Sequence, residues 1–187
     1  MADKTWYVAC LDLEGADVLV VGGGSVGLEK ARGLLDVGAR VTVVSPLVVP
    51  ELEDLPVELV RRPFEPSDVE GRRLVIATTS VTEVNVFVSA AAETHGIFCN
   101  VADVPELCSF ILPAIHREGP ITIAVSTGGA SPALAQWIRA RIAELIGPEH
   151  AQVARQLQGL RPWAKRNLPT YEERRDYFQG LVERALG

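Results

Sequence analysis

The residues Gly22-Gly23-Gly24-Ser25-Val26-Gly27 satisfy the spacing G-x-G-x-x-G directly after the apolar run Val18-Leu19-Val20-Val21. Glycines placed this way suit a pyrophosphate. Gly22 permits a tight turn, Gly24 lets the backbone approach a phosphate with no Cβ in the way, and Gly27 lets the next helix pack closely on the strand. The amides around Ser25 and Val26 would then lie at a helix N-terminus, where free N–H groups and the helix dipole favour an anion. A glycine-rich turn without a ligand draws on the same residues. The agreement of strand, turn, helix and βαβ length within one stretch favours dinucleotide binding.

The acid that grips an adenosine ribose usually stands at the end of the second strand, and here that place holds Ser45-Pro46-Leu47. Ser45, or the backbone at Pro46 and Leu47, is left to bond the ribose hydroxyls. No arginine immediately follows Val44 to meet a 2′-phosphate, so NAD is favoured over NADP, while Arg61 and Arg62 keep NADP open. Ligands of open α/β sheets bind beyond the carboxyl ends of the strands. That rule brings in Thr78 and Thr79 after the fourth strand, and Asn100 and Asp103 after the fifth. The threonines either line the cofactor crevice or cap the next helix with their hydroxyls. Asp103, between Val101-Ala102 and Val104-Pro105, is either a chemically useful acid in apolar company or a turn residue before Pro105.

The elements that must position these groups are short β-branched runs alternating with helical periods. Val18–Val21, Val41–Val44, Val57–Val60, Leu74–Ala77 and Ile97–Val101 read as buried strands, and strands separated by helices imply a parallel sheet. A helix is expected over Val26–Val37, stopped by Gly38, and a second one opened by a capping box at Ser80 and Glu83 and ended at Gly96. The connection through Pro63, Pro66 and Ser67 has room for about one helical turn. After Asp103 the rhythm changes, with strand candidates Ser109–Leu112 and Ile121–Val125 on either side of His116–Pro120. Ser131 as N-cap and Pro132 as first helical residue open a helix with Leu134, Ala135, Ile138, Ile142 and Leu145 on one face, closed by Gly147-Pro148. The tail shows Val153, Leu157 and Leu160, a break around Pro162 and Pro169, and a capping box at Thr170 and Glu173.

Composition narrows the class of function. With 187 residues, 48% hydrophobic and 22% charged, the chain can bury a full core, which excludes disorder and fibrous architectures. A net charge of −6 argues against nucleic acid and anionic membranes as partners, although residues 151–187 are locally cationic. Cys10, Cys99 and Cys108 form no CxxC, so neither a disulfide framework nor a zinc set is read from them. The Met1–Lys4 start and the acids that follow lack the pattern of a secretory signal, so a cytoplasmic protein with reduced thiols is expected. The longest uncharged stretch, Gly119–Ile138, contains Pro120, Gly128, Gly129 and Pro132, and reads as strand, turn and helix start rather than a membrane span.

Taken together, the chain resembles the precorrin-2 dehydrogenase and sirohydrochlorin ferrochelatase family, the siroheme synthase module. The residues that carry the resemblance are Leu11-Asp12-Leu13-Glu14-Gly15 ahead of the glycine run, Asn100-Val101-Ala102-Asp103, Ser109-Phe110-Ile111-Leu112-Pro113-Ala114, and Ala124-Val125-Ser126-Thr127-Gly128-Gly129-Ala130-Ser131-Pro132-Ala133-Leu134-Ala135. The family's serine pair is Ser126-Thr127 here, which keeps the hydroxyl. The resemblance implies an α/β architecture: a Rossmann-like parallel-sheet domain over 1–112, a small α+β dimerisation segment over 113–147 and a C-terminal helical region over 148–187, assembled as a homodimer. It also implies NAD-dependent oxidation of precorrin-2 to sirohydrochlorin, with Asp103 in the place of the catalytic aspartate. Removing two hydrogens needs a hydride acceptor on one side and a proton acceptor on the other, which a carboxylate beside the crevice provides. Some members also insert Fe²⁺, so transient Fe²⁺ is an open partner and a chelatase with vestigial dehydrogenation is one alternative. A non-catalytic NAD(H)-sensing module is the other. With the sequence reaching Gly187, no fused methyltransferase domain is expected.

The implied substrate is a polycarboxylate tetrapyrrole, so cations and amides must meet it. The candidates are Asn100, His116 and the Ser126, Thr127 and Gly128 loop, with Arg117, Arg139, Arg141, Arg155, Arg161, Lys165, Arg166, Arg174 and Arg175. His116 has no partners at ligand spacing, so no metal site is read from it.

Overall fold

The computed structural model describes residues 5–187, so the Met1–Lys4 start lies outside the described residues. The chain divides into two compact units, residues 1–112 and 113–187. The first is a five-stranded parallel sheet in the order β3-β2-β1-β4-β5, built from β1 (Asp17–Gly23), β2 (Arg40–Val48), β3 (Glu58–Val60), β4 (Leu74–Ala77) and β5 (Phe98–Val101). This is the α/β, Rossmann-like sheet expected from the strand rhythm, with the strand order reversing between β1 and β4.

Period-two alternation sends the strand side chains to two separate cores. Val18 and Val20 of β1 join Val41, Val43, Leu74 and Ile76 under helix α1 (Ser25–Leu35). Leu19 and Val21 join Val75, Ala77, Cys99 and Val101 under helix α2 (Thr82–Thr94). Val18 to Val21 are at most 2% exposed, and burial on this scale contributes about 1.5–3 kcal/mol per large aliphatic side chain. The single turn expected in the third connection is a 3-10 turn at Pro66–Val69. It is tied down by Arg62, which donates to both carboxylate oxygens of Asp68 at 2.8 and 2.6 Å. Partial burial pushes the Asp68 carboxyl up, but the Arg62 guanidinium and the Glu65 amide outweigh it and hold its pKa below the usual range.

Two expectations in this unit are corrected. Helix α2 does not open with a Ser80–Glu83 box. Its N-cap is Val81, without a side-chain bond, and the preceding turn is held by Thr79, whose hydroxyl accepts from the Val81 amide at 3.2 Å. The buried Asn85 completes it by donating to the Thr79 carbonyl at 2.9 Å. Nor is Ser109–Leu112 a strand. The Ser109 and Phe110 amides both point at one carbonyl, Cys99 O, at 2.8 and 3.4 Å, and the Ser109 hydroxyl takes the Cys99 amide at 2.7 Å. Side-chain bonds replace a ladder there, and Pro113 has no N–H with which to extend one.

The second unit begins with a hairpin, β6 (Ala114–Glu118) antiparallel to β7 (Ile121–Val125), with Glu118 opposite Ile121. Gly119 at φ 54° and Pro120 form its two-residue turn, which suits a glycine at the first central position. Helix α3 (Pro132–Leu145) packs on both strands, and Ser131 caps it by accepting from the Leu134 amide at 3.2 Å. Of the face expected on α3 only Ala135 is buried, while Leu134 and Leu145 are exposed. Helix α4 (Pro148–Asn167) runs straight through Pro162, so the expected break is confined to Leu168–Pro169. An interior proline costs about 3 kcal/mol. The fully buried Ala164 and the Trp163 ring, 5.4 Å from Tyr177 of helix α5 (Tyr171–Leu186), hold the helix together across it. The capping box at Thr170 and Glu173 is present, and the Thr170 amide keeps the Glu173 carboxyl below its usual pKa.

Candidate functional site

Parallel register places the carboxyl ends of β1, β4 and β5 side by side. Val21 pairs with Ala77, and Ala77 with Val101. The glycine turn and Asp103 therefore leave the sheet at the same end, two strand spacings or about 10 Å apart. The reversal of strand order lies between them, where open α/β sheets form their ligand crevice.

The glycines divide into two kinds. A Cβ on Gly27 would strike the Gly22 carbonyl oxygen, and one on Gly22, at φ 114°, would stand 2.6 Å from Thr78 Oγ1. Both are packing glycines. Gly24 is different, because a Cβ there meets nothing within 4 Å. It is the N-cap of α1, is exposed, and precedes the exposed Ser25 and Val26. Open space over a bare backbone, at a helix end whose first amides have no helical partner, is what an incoming pyrophosphate requires. The residues present fit a dinucleotide.

Gly23 carries a constraint that the motif spacing did not reveal. Strand β2 does not stop at Val44 but overruns to Val48, with a register shift against β1 so that Gly23 pairs with Val48. The Val49 amide bonds the Gly23 carbonyl at 2.8 Å, and a Cβ on Gly23 would collide with the Leu47 carbonyl. The signal was present as a run of three glycines where the motif asks for only two. Along this overrun the Ser45 hydroxyl is nearly buried and donates to Leu47 O at 2.7 Å, so its proton is committed. Pro46 has no N–H, and the Leu47 side chain is 84% exposed.

Thr78 faces the crevice wall, its hydroxyl 3.1 Å from Val21 O and 3.2 Å from Gly22 O. Thr79 instead serves the turn into α2. Beyond β5, the Ala102 amide bonds Ala77 O at 2.9 Å and the Val104 amide bonds Val101 O at 3.2 Å, which closes a turn around Ala102-Asp103. Asp103 sits there at φ 61°, the one positive φ of a non-glycine among the described residues. Its exposed carboxylate has no ion-pair or hydrogen-bond partner among the described residues. Asn100 is buried, and its Nδ2 donates to Phe110 O at 3.1 Å, so that amide group secures the following loop.

In the second unit the expected polyanion ligands are partly committed. His116 donates from Nε2 to Ile146 O at 3.1 Å, satisfying a carbonyl at the end of α3. Thr127 Oγ1 donates to Ser131 O at 3.1 Å and accepts from its amide at 3.0 Å, while Ser126 Oγ accepts from the Gly128 amide at 3.1 Å. The hydroxyls thus shape a loop in which Gly128 and Gly129 adopt φ 65° and 93°. Arg139 bonds Gln136, Arg141 pairs with Glu144, Arg174 binds the Leu168 and Pro169 carbonyls, and Arg175 pairs with Asp176. Of the candidate cations, Arg117, Arg155, Arg161, Lys165 and Arg166 are exposed and have no ion pair among the described residues.

A cleft of about 770 Å³ lies at the opposite, amino end of the strands, beside Asp17, Arg40, Arg72 and Arg73. Two of its cations are already engaged: Arg40 forks onto Asp17 at 2.8 and 2.7 Å, and Arg72 donates to Thr42 at 2.8 Å. The carboxyl end, with its open glycine and unpaired acid, has the ligand chemistry. Among the described residues no cluster of three or more His, Cys, Asp or Glu is poised to hold a metal, and no helix is long and apolar enough to cross a membrane.

Comparison with known proteins agrees with this geometry. A family model described as sirohaem biosynthesis protein central matches residues 118–145. The siroheme synthase of Ectopseudomonas mendocina is 42% identical over 180 residues, covering 93% of this chain and 39% of that protein. The siroheme synthase of Thioalkalivibrio sulfidiphilus is 44% identical over 169 residues, covering 88% and 35%. The chain thus spans under two-fifths of the length of these curated relatives. A solved structure of SirC, precorrin-2 dehydrogenase, superposes with a TM-score of 0.77 at 26% identity, covering 95% of this chain and 89% of that one. The family resemblance read from the sequence is matched by the siroheme synthase relatives and by the SirC structure. A model described as putative NAD(P)-binding matches residues 9–114, more than half of the chain, and the chain belongs to that family.

Proposed function

We propose that this chain is an NAD-dependent precorrin-2 dehydrogenase, oxidising a polycarboxylate tetrapyrrole to sirohydrochlorin. The observation that carries the reading is the pairing, at one end of one sheet, of an open glycine at a helix N-terminus with an unpaired carboxylate two strands away. NAD, when bound, supplies the hydride acceptor. Gly24, Ser25 and Val26 hold its pyrophosphate through backbone amides, Gly22 and Gly27 keep that backbone close to β1, and Thr78 braces the turn from β4. Ser45, Pro46 and Leu47 form the wall at the ribose end through backbone, and the lack of an acid or arginine there favours NAD.

Asp103 accepts the proton that leaves the reduced macrocycle. It is exposed, on a left-handed backbone at the carboxyl end of the sheet. A non-glycine residue held in that conformation is strained by about 1 kcal/mol or more, and such strain collects at functional positions. Asn100 holds the Asp103 loop through Phe110 while its carbonyl oxygen remains for substrate. Substrate carboxylates are met by the Ser126, Thr127 and Gly128 loop and by the unpaired cations Arg117, Arg155, Arg161, Lys165 and Arg166. His116 serves by fixing the end of α3.

In this reading residues 1–112 bind NAD, 113–147 dimerise and 148–187 form a C-terminal helical region. The exposed Leu134, Trp137 and Leu145 on α3 support a homodimer, since a second copy would cover them. Fe²⁺ is a substrate of a second step in which Asp103 takes up pyrrole protons, and the protein acts in the cytoplasm. The test is an anaerobic assay of precorrin-2 with NAD, followed by Fe²⁺. Formation of NADH together with the sirohydrochlorin spectrum is expected. Binding of NAD(H) without turnover would leave only a sensing module.

A further inference from the structure

Strand β5 is an edge strand, and its outward backbone groups must be satisfied by something other than a sixth strand. The Cys99 amide goes to the Ser109 hydroxyl at 2.7 Å, and the Val101 amide goes to the sulfur of Cys108 at 3.2 Å. That sulfur is buried and stands 3.3 Å from Val101 O and 3.3 Å from Val104 O. Val101 and Val104 are the two ends of the turn that carries Asp103, already joined by the Val104 amide bonding Val101 O. A thiol has one proton to give and a lone pair to accept with. Cys108 therefore takes the Val101 N–H and donates to one of the two carbonyls that bracket the turn.

We propose that Cys108 is a positioning residue, whose buried thiol clamps both ends of the Ala102-Asp103 turn and so holds the Asp103 carboxylate in its left-handed, outward-directed pose. The proposal rests on the reading of Asp103 as proton acceptor. The other ties of the turn are backbone bonds, from the Val104 amide to Val101 O and from the Ala102 amide to Ala77 O, and the Cys108 sulfur adds a side-chain tie at both of its ends. The Asp103 side chain has no bond of its own among the described residues, and the 3-10 turn Pro105–Leu107 that follows is held by the Leu107 amide on Val104 O at 3.1 Å and by Ser89, which donates to Leu107 O at 2.9 Å. Removing the sulfur leaves the Val101 amide without an acceptor and lets Asp103 relax toward negative φ.

The test compares Cys108→Ala, Cys108→Ser and, as a thiol-loss control at an exposed position, Cys10→Ser. Two quantities are read on the full chain: kcat for precorrin-2 with the NAD KM beside it, and backbone amide exchange at Val101. For Cys108→Ala we expect Val101 exchange about fivefold faster, the loss of one neutral hydrogen bond, and kcat down by about tenfold or more with the NAD KM within about twofold, because the glycine turn lies two strands away. Cys108→Ser, which keeps a donor and an acceptor, restores most of both, and Cys10→Ser changes neither. Wild-type kcat in Cys108→Ala, or a kcat loss with Val101 still protected, overturns the proposal. If Cys108→Ala does not accumulate as folded protein, Cys108→Ser decides by the same rule: protection and kcat must move together. An Asp103→Asn variant with wild-type turnover removes the catalytic reading instead, and leaves the Val101 exchange result standing.

Discussion

Replacing Asp103 separates its chemistry from its backbone, because the two respond with opposite signs. The residue sits at φ 61° with no bond to its side chain. Glycine adopts that region freely, so Asp103→Gly relieves about 1 kcal/mol of strain, against about 0.5–1 kcal/mol of added freedom in the unfolded chain. The net change in stability is between about zero and a gain of 0.5 kcal/mol. Alanine has neither the freedom of glycine nor the tolerance of aspartate for this region, so Asp103→Ala costs about 1 kcal/mol, or about 2–4 °C in Tm for a chain of this size. Both substitutions remove the proposed proton acceptor, and loss of a positioned base lowers the rate by about 10²–10⁴-fold. Thermal unfolding and the anaerobic precorrin-2 assay, run on the same preparations, give the two readouts. Equal loss of Tm in the two variants would mean that the Asp103 carboxylate supports the turn by a bond the geometry lacks. Near-native turnover in either would remove it from the chemistry.

Other perturbations follow from the same geometry. Gly24→Ala should leave stability within about 0.5 kcal/mol and weaken NAD(H) binding by about tenfold in a fluorescence titration, since its Cβ enters only ligand space, whereas Gly27→Ala should cost about 1–3 kcal/mol by overpacking; equal Tm losses would refute the division. Burial, followed by the proximity of Cys108, pushes the Cys99 thiol up from 9.0 to about 11. The native state therefore keeps a proton that the unfolded chain has lost, and stability should fall as pH rises from about 9 to about 11, by an amount of order 2 kcal/mol that is absent in Cys99→Ala; parallel alkaline profiles for the two would contradict it. Substrate binding should weaken steeply with added salt, read as KM for precorrin-2, because exposed cations meet a polycarboxylate; a flat response would exclude Arg117 and the tail cations.

Much of the sheet was legible because β-branched runs of four or five residues, bounded by glycine and proline, have few other uses. Val18–Val21 and Leu74–Ala77 lie in strands where expected, and Ser131 with Pro132 marks the start of α3. What escaped was decided by contacts distant in sequence. Ser109–Leu112 has the composition of a strand, but its polar groups are drawn to the single carbonyl of Cys99, so the hairpin strand begins only at Ala114. Pro162 reads as a helix end until Trp163 and Ala164 are seen packed. In the candidate site, spacing located the glycine turn after β1 and the place of Asp103 after β5, yet not the φ of Asp103, which depends on closure of the turn between Val101 and Val104. The roles of Asn85 and Gly23 were invisible for the same reason: each answers a backbone group supplied by another segment.

The overrun of β2 has a consequence for how cofactor preference can drift. In a sheet whose second strand gives way to a loop, one residue exchanged at the loop's start is enough to reward or repel an extra phosphate. Here that position is a rigid ledge, pinned by Gly23 and Val49 and interrupted by Pro46. A charged side chain introduced at Ser45 would be driven into the packed interior instead of toward the adenosine. Adaptation to the phosphorylated dinucleotide would have to remodel the ledge first, which would make the proposed preference for NAD hard to reverse by single steps.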